Sequence, residues 1–284
     1  MPDLSSLSWF AEQNERLGTG VSLRVKHKVV EKQSPFHKVE VYNTTDFGYL
    51  MVIDNYPRLS SQDSFFYHEM MVHPAMLTHP NPQNVLIIGG ENCGCLQQVL
   101  KHQAVRSVKQ VYSDSLVSEV AHRYFPELSE HKADERAQLL FEEHRQSIKR
   151  MPERSIDVII VDLIDAELPS CGALDDSFYQ DCMMLLNENG LLVAPSGSPL
   201  LQQAQIKTMR ENMLAAGFRQ VETLLFPLPI YPSGQCSCTL ATKGAGFNNI
   251  RFQDAQHLSQ QLKYYSADTH KLSGCLPNYL TGKL

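Results

Sequence analysis

The sequence predicts an α/β fold: a doubly wound, parallel-dominated sheet preceded by a small antiparallel β domain. Three observations carry this. Early runs alternate apolar and polar residues (Ser22–Val30, Lys38–Asn43, Tyr49–Ile53), the pattern of strands with one buried face. Beyond His79-Pro80-Asn81-Pro82 the runs become continuously apolar, as in Val85-Leu86-Ile87-Ile88 and Ile156–Val161, the pattern of strands buried on both faces. Helical segments separate those later strands, which makes the sheet parallel.

Taken in order, the early strands are parted by turn residues at Ser34-Pro35, Asp46-Phe47-Gly48 and Asp54-Asn55. About Asp63 to Leu77 the chain is rich in aromatic residues and Met and is predicted helical. The division falls at residues 1–78 and 79–284. In the second part, Val85–Ile88 runs into Gly89-Gly90 and a helix over Cys95–His102. A strand at Val108–Tyr112 and a helix at Leu116–Arg123 follow, then the strand Ile156–Val161. A helix at Phe178–Leu186 leads through Asn187-Glu188-Asn189-Gly190 into a strand at Gly190–Ala194. Pro227–Ser233 and Cys236–Thr242 read as a closing hairpin. No internal repeat or low-complexity segment interrupts this order.

With 284 residues, 43% hydrophobic and 20% charged, the chain can bury a sizeable core. A net charge of −6 argues against a nucleic-acid partner, which needs clustered Lys and Arg, and is compatible with a cationic substrate. The N-terminus lacks a basic segment followed by an apolar run, and no stretch approaches the ~18 apolar residues of a membrane span. A cytoplasmic location is expected. Seven cysteines, an odd number, give no disulfide framework. The pairs Cys93/Cys95 and Cys236/Cys238 lack a matching His pair and read as buried thiols in preference to a metal site.

Ligands of open α/β sheets sit at the carboxyl ends of the strands. The residues after Ile88, Val111 and Val161 are therefore expected to face one crevice. Gly89-Gly90-Glu91-Asn92-Cys93-Gly94 is either a nucleotide-cradling loop or a tight turn; it is neither G-x-G-x-x-G nor a P-loop. Asp162 and Asp165 are either a base and an ammonium holder, or a loop-satisfying residue and a helix cap. Tyr67-His68-Glu69 is either part of a site or a packed tyrosine beside a solvated pair. Tyr231-Pro232-Ser233-Gly234-Gln235 is by itself a turn.

In combination these segments resemble the spermidine-synthase (polyamine aminopropyltransferase) family over nearly the whole chain. The matching stretches are Tyr67-His68-Glu69-Met70, Asn81-Pro82 with Val85–Gly90, Val99–His102, and Tyr124-Phe125-Pro126. They continue with Asp157–Ile160 leading to Asp162 and Asp165, Phe178-Tyr179, Tyr231–Gln235, and a tail holding Tyr264-Tyr265, His270 and Leu276-Pro277. The resemblance implies a Rossmann-like methyltransferase-type domain behind the small β domain, in a homodimer or homotetramer. It implies transfer of an aminopropyl group from decarboxylated S-adenosylmethionine to putrescine, giving spermidine and methylthioadenosine, with no cofactor and no metal. Asp162 would then be the base, with Asp165, Tyr67, His68 and Tyr231 around the diamine. His37, Gly89, Gly90, Asn92, Tyr112, Glu143 and Pro169 would align with the nucleoside contacts.

Several of those contacts depart from the family pattern. The loop aspartate that meets the donor's amino group is Asn92 here, and the acid that takes the ribose hydroxyls aligns with Tyr112. Asp114, two residues on, is a partial substitute on the same strand face. His37 stands for a glutamine and Glu143 for an aspartate; Ala166 replaces a proline, and Leu168 the glycine before Pro169. Two alternatives follow: a related S-adenosylmethionine-dependent transferase with a changed donor, and a paralogue weakened in or without catalysis.

Overall fold

The computed structural model of the protein describes residues 8–15, 17–163, 174–244, 246–247 and 250–284. Five strands, β1 (Ser8–Ala11), β2 (Ser22–Gln33), β3 (Lys38–Thr44), β4 (Tyr49–Ile53) and β5 (Tyr56–Ser60), form a sequential antiparallel sheet. Helix α1 (Ser64–Thr78) then leads to the second sheet. Its elements are β6 (Asn84–Gly89), α2 (Gly94–Leu100), β7 (Ser107–Tyr112), α3 (Ser115–Tyr124), α4 (Pro126–Ser129), β8 (Ala137–Phe141), α5 (His144–Arg150) and β9 (Ile156–Asp162). They continue with α6 (Asp176–Leu185), β10 (Leu186–Pro195), α7 (Gln203–Ala215), β11 (Gln220–Pro227), β12 (Gln235–Thr242), α8 (Phe252–Ser259) and α9 (Ala267–Ser273). The seven strands lie in the order β11-β12-β10-β9-β6-β7-β8. The pairings from β10 through β8 are parallel, and β12 is antiparallel to both β10 and β11.

The predicted class is therefore the observed one, and three details differ. Pro227–Ser233 is not the first arm of the closing hairpin. That arm is β11, while residues 228–234 form the turn, closed by Leu228 N–H donating to Gly234 O at 2.9 Å. Proline at 227 and 229 cannot supply ladder donors, so the chain leaves the sheet there. Strand β8 carries no long apolar run, because it is an edge strand and only partly buried. The strand predicted at Gly190–Ala194 begins earlier, at Leu186, with an irregularity in its register against β9.

Two cores flank the second sheet. One face packs α1, α2, α8 and the Tyr265 region against the strands; the other packs α5, α6 and α7. A third cluster joins the first sheet to α3 and α4 through Val41, Met51, Ile53, Val117, Val120 and Phe125. Val85, Leu86, Ile87 and Ile88 are essentially inaccessible. Each such side chain contributes roughly 1.5–3 kcal/mol by leaving water, which is why the run reads so clearly as a central strand. Among the described residues no helix is long and apolar enough to cross a membrane.

The strand order fixes where a ligand can sit. From β6 the chain winds outward to β7 and β8, then returns to β9 on the other side of β6. The carboxyl ends of β6 and β9 thus flank a topological switch point, the place where open α/β sheets leave a crevice. Gly89 and Asp162 are register partners across it.

Candidate active site

Strand β6 ends in Gly89 and Gly90, with φ of 87° and 69°, a region that costs residues with a Cβ. A Cβ on Gly89 would lie 2.3 Å from Asp162 O, and one on Gly90 would lie 2.8 Å from Asp162 Oδ2. The glycines are thus required for the loop to pass directly over the end of β9. Gly90 N–H donates to Asp162 O at 2.8 Å, and Gln110 Nε2 donates to the carbonyls of Gly89 (2.9 Å) and Gly90. Gln110, fully buried on β7, therefore clamps the loop, a role that no motif signals.

Asp162 is 7% exposed. Its Oδ1 accepts from the Tyr67 hydroxyl at 2.8 Å, while Oδ2 has no hydrogen-bond partner among the described residues. Tyr67 and His68 come from the second turn of α1, so a helix from one part of the fold meets a strand end from another. The His68 ring packs onto Gly94, where a Cβ would lie 2.1 Å from the imidazole. Burial lowers the His68 pKa to about 4, against the opposing pull of Asp162 and a hydrogen bond with Asn92. The imidazole is therefore neutral at pH 7. Glu69 turns the other way: its carboxylate accepts from the backbone N–H groups of Lys263, Tyr264 and Tyr265 at 2.8–2.9 Å. The triplet thus divides into two site residues and one anchor for the tail.

A cavity of about 640 Å³ opens over this point. Of the residues singled out in the sequence, Tyr67, His68, Gly90, Asn92, Asp162 and Tyr231 line it. Tyr231 is held there by an unforeseen latch. Asp63, at the start of α1, accepts from Ile230 N at 3.0 Å and from Ser60 Oγ at 2.6 Å. Glu91, from the Gly89–Gly94 loop, and Arg58, which lies in no recognisable motif, also line the cavity. A second cavity of about 520 Å³ shares Arg58, Ile230 and Tyr231 with the first and reaches Glu12.

Three other expected contacts do not line this cavity. His37 Nδ1 pairs with Asp54 Oδ2 at 2.7 Å in the first sheet. Tyr112, expected to face the crevice from the end of β7, instead meets Phe141 edge-on at 6.0 Å between centroids. Glu143 caps α5, accepting from Arg145 N and Gln146 N, both at 2.9 Å. None of the three lines the cavity. Asp114 does not line it either: it caps α3 through Leu116 N at 2.9 Å and accepts from Ser34 Oγ at 2.6 Å. Asp165 and Pro169 lie outside the described residues, as do Ala166 and Leu168. Cys93, Cys95, Cys236 and Cys238 are buried thiols outside any disulfide, and no three His, Cys, Asp or Glu cluster as metal ligands among the described residues.

Comparison with known proteins matches this architecture along its length. A family model described as "Spermine/spermidine synthase domain" matches residues 64–254, and one described as "Spermidine synthase tetramerisation domain" matches residues 8–59. The chain belongs to the spermidine synthase family. Within that family it is 43% identical over 271 residues to a polyamine aminopropyltransferase of Methylococcus capsulatus, covering 95% of each chain. It is likewise 43% identical over 277 residues to one of Nitrosococcus oceani, covering 98% of this chain and 97% of the relative. The crystal structure of spermidine synthase from Thermotoga maritima superposes with a TM-score of 0.91 at 29% identity, covering 98% of this chain and 94% of that one. A spermidine synthase in complex with the transition-state analogue AdoDATO gives 0.90 at 28% identity, covering 100% and 96%.

Proposed function

We infer that this protein is a polyamine aminopropyltransferase, moving the aminopropyl group of decarboxylated S-adenosylmethionine to putrescine to form spermidine and methylthioadenosine. The observation that carries the reading is Asp162: a buried carboxylate at the switch point, with one oxygen on the Tyr67 hydroxyl and the other without a described partner. Such an arrangement suits proton removal from an amine. Putrescine carries two ammonium groups with Lys-like pKa values of about 10. The sulfonium of the donor disfavours a second positive charge nearby, which lowers the pKa of the attacking amine. Asp162 accepts its proton, the nitrogen lone pair forms the new N–C bond, and the C–S pair leaves on the neutral thioether. The leaving group needs no acid and no metal.

In this proposal Tyr67 orients the carboxylate, and His68 and Tyr231 form the diamine's walls. Asp165 holds an amine, while Gly89, Gly90 and Asn92, with Pro169, border the nucleoside. The first sheet, whose matched family model is named for tetramerisation, joins protomers into a homodimer or homotetramer, and the enzyme works in the cytoplasm. The test is direct. Purified full-length protein, given decarboxylated S-adenosylmethionine and putrescine, is expected to release methylthioadenosine and spermidine in equal amounts. No methylthioadenosine overturns the reading, and consumption of intact S-adenosylmethionine instead would indicate a changed donor.

A further inference from the structure

Both substrates of the proposed reaction are cations, yet the cavity that would receive them carries a fixed positive charge. Arg58 is the one lysine or arginine among the described residues that line it. A guanidinium stays protonated at any working pH, whatever it pairs with. Its place in the wall comes from the backbone. Strand β5 is an edge of the first sheet, and its register against β4 slips: Met51 faces Leu59 and Val52 faces Pro57, so Arg58 has no register partner. A bulge of this kind re-aims a side chain. Adjacent strand residues ordinarily point to opposite faces, but Arg58 and Leu59 both line the cavity. The Arg58 guanidinium lies 5.5 Å from the centroid of the Tyr56 ring, a contact that favours a cation there.

Beyond Arg58 there is room. The second cavity, of about 520 Å³, shares Arg58, Ile230 and Tyr231 with the first, so these three stand where the two meet. Its wall offers the amide and hydroxyl groups of Asn14, Ser198 and Gln202 beside the apolar Leu17 and Leu201, a lining that suits alternating amines and methylenes. Space therefore does not limit the acceptor to a diamine. Of the three residues at the junction, Ile230 and Tyr231 are neutral and held by their backbone, through Asp63 Oδ2 at 3.0 Å and Leu228 O at 2.9 Å. Arg58 is the charged one. A like charge a few ångströms away disfavours an ammonium by about fivefold in water, and by far more in a partly buried site.

We propose that Arg58 sets the acceptor class by charge: it admits a diamine whose ammonium groups stay on the Asp162 side, and it excludes a triamine whose further ammonium must pass into the second cavity. This specificity-determining role rests on the aminopropyltransferase reading. The test compares kcat/KM for putrescine and for spermidine as acceptors, from methylthioadenosine release with decarboxylated S-adenosylmethionine as donor. The proteins are full-length wild type, Arg58→Gln and Arg58→Met, which remove the charge, and Arg58→Lys, which keeps it. Wild type is expected to favour putrescine by about 100-fold or more, and either charge-removing variant narrows that preference at least about tenfold. Arg58→Lys retains the wild-type preference within about threefold. A wild type that uses spermidine as well as putrescine overturns the assignment, and that arm needs no substitution to fold. An unchanged preference in Arg58→Gln or Arg58→Met overturns it too, as does a preference lost equally in Arg58→Lys, which would make the role one of shape. These outcomes leave the enzyme reading intact, whereas no methylthioadenosine from the wild type with either amine overturns both.

Discussion

Replacing Asp162 with Asn separates catalysis from stability at the point where the reaction is proposed to occur. Asn keeps the Oδ1 acceptor that meets Tyr67 at 2.8 Å, and the backbone bond from Gly90 N is untouched. Two changes at Oδ2 oppose each other. Removing a buried charge relieves its desolvation, while the new amide N–H₂ lacks an acceptor among the described residues, which costs about 1–3 kcal/mol. The net change in stability is expected within about 2 kcal/mol, or roughly 4–8 °C in melting temperature for a chain of this size. Turnover loses its base, worth about 10²- to 10⁴-fold, equivalent to roughly 3–5.5 kcal/mol of barrier. The assays are initial rates of methylthioadenosine release and urea unfolding of the same preparation. Residual turnover above about a tenth of wild type would refute the base assignment. A stability loss beyond about 3 kcal/mol would instead make Asp162 a structural residue.

Tyr67→Phe removes the phenol that donates to Asp162 Oδ1. A hydrogen bond to a charged group is worth about 1.5–3 kcal/mol, so kcat/KM is expected to fall about 10- to 100-fold with the fold intact by circular dichroism; unchanged kinetics would remove Tyr67 from the mechanism. His68 gives a pH dependence with a defined sign. Its pKa falls from 6.5 to about 4 on folding, so between those values the unfolded chain binds a proton that the folded chain does not. Stability is full above pH 6.5 and declines as pH falls toward 4, by up to about 1.4 kcal/mol per pH unit from this residue. His102 and His270, lowered by burial to about 3 and about 4, act in the same direction. His68→Gln should therefore reduce the slope of urea stability against pH by at most one proton over that window, and an identical slope would contradict the assigned burial effect.

Where the sequence was legible, burial had left a simple record. Val85–Ile88 is unbroken because β6 lies in mid-sheet, whereas Tyr49–Ile53, expected to have one buried face, is covered on both: Leu50 and Val52 join the core of α1, and Met51 and Ile53 meet α3. Edge position erased the same signal from β8. The closing hairpin was misplaced because its turn is itself apolar: Leu228 and Ile230 are buried as walls of the cavity rather than as strand residues. The site follows the same logic. Gly89, Gly90 and Asp162 are local to two strand ends and stood out in sequence. Asp63, which holds Ile230 beside Tyr231 across 167 positions of chain, and Gln110, which fixes the glycine loop, act through tertiary contacts that leave no local pattern. Tyr112 and Glu143 were expected at the nucleoside from alignment alone; the structure shows for them an aromatic contact and a helix cap.

His68 shows how these features act together. An imidazole beside a carboxylate in open solution would protonate near neutral pH and pair with it. Here Gly94 lets the ring lie against α2, leaving His68 2% exposed, and desolvation outweighs the attraction of Asp162. The consequence for the proposed reaction is electrostatic. An imidazolium next to Asp162 would neutralise the base and repel both the sulfonium and the diamine, whereas a neutral ring leaves the carboxylate's charge to the substrates. A side chain on Gly94 would force the ring outward toward solvent, where its pKa returns toward 6.5 and the competing cation reappears. The glycine after Cys93 thus sets the charge of the site by admitting the His68 ring.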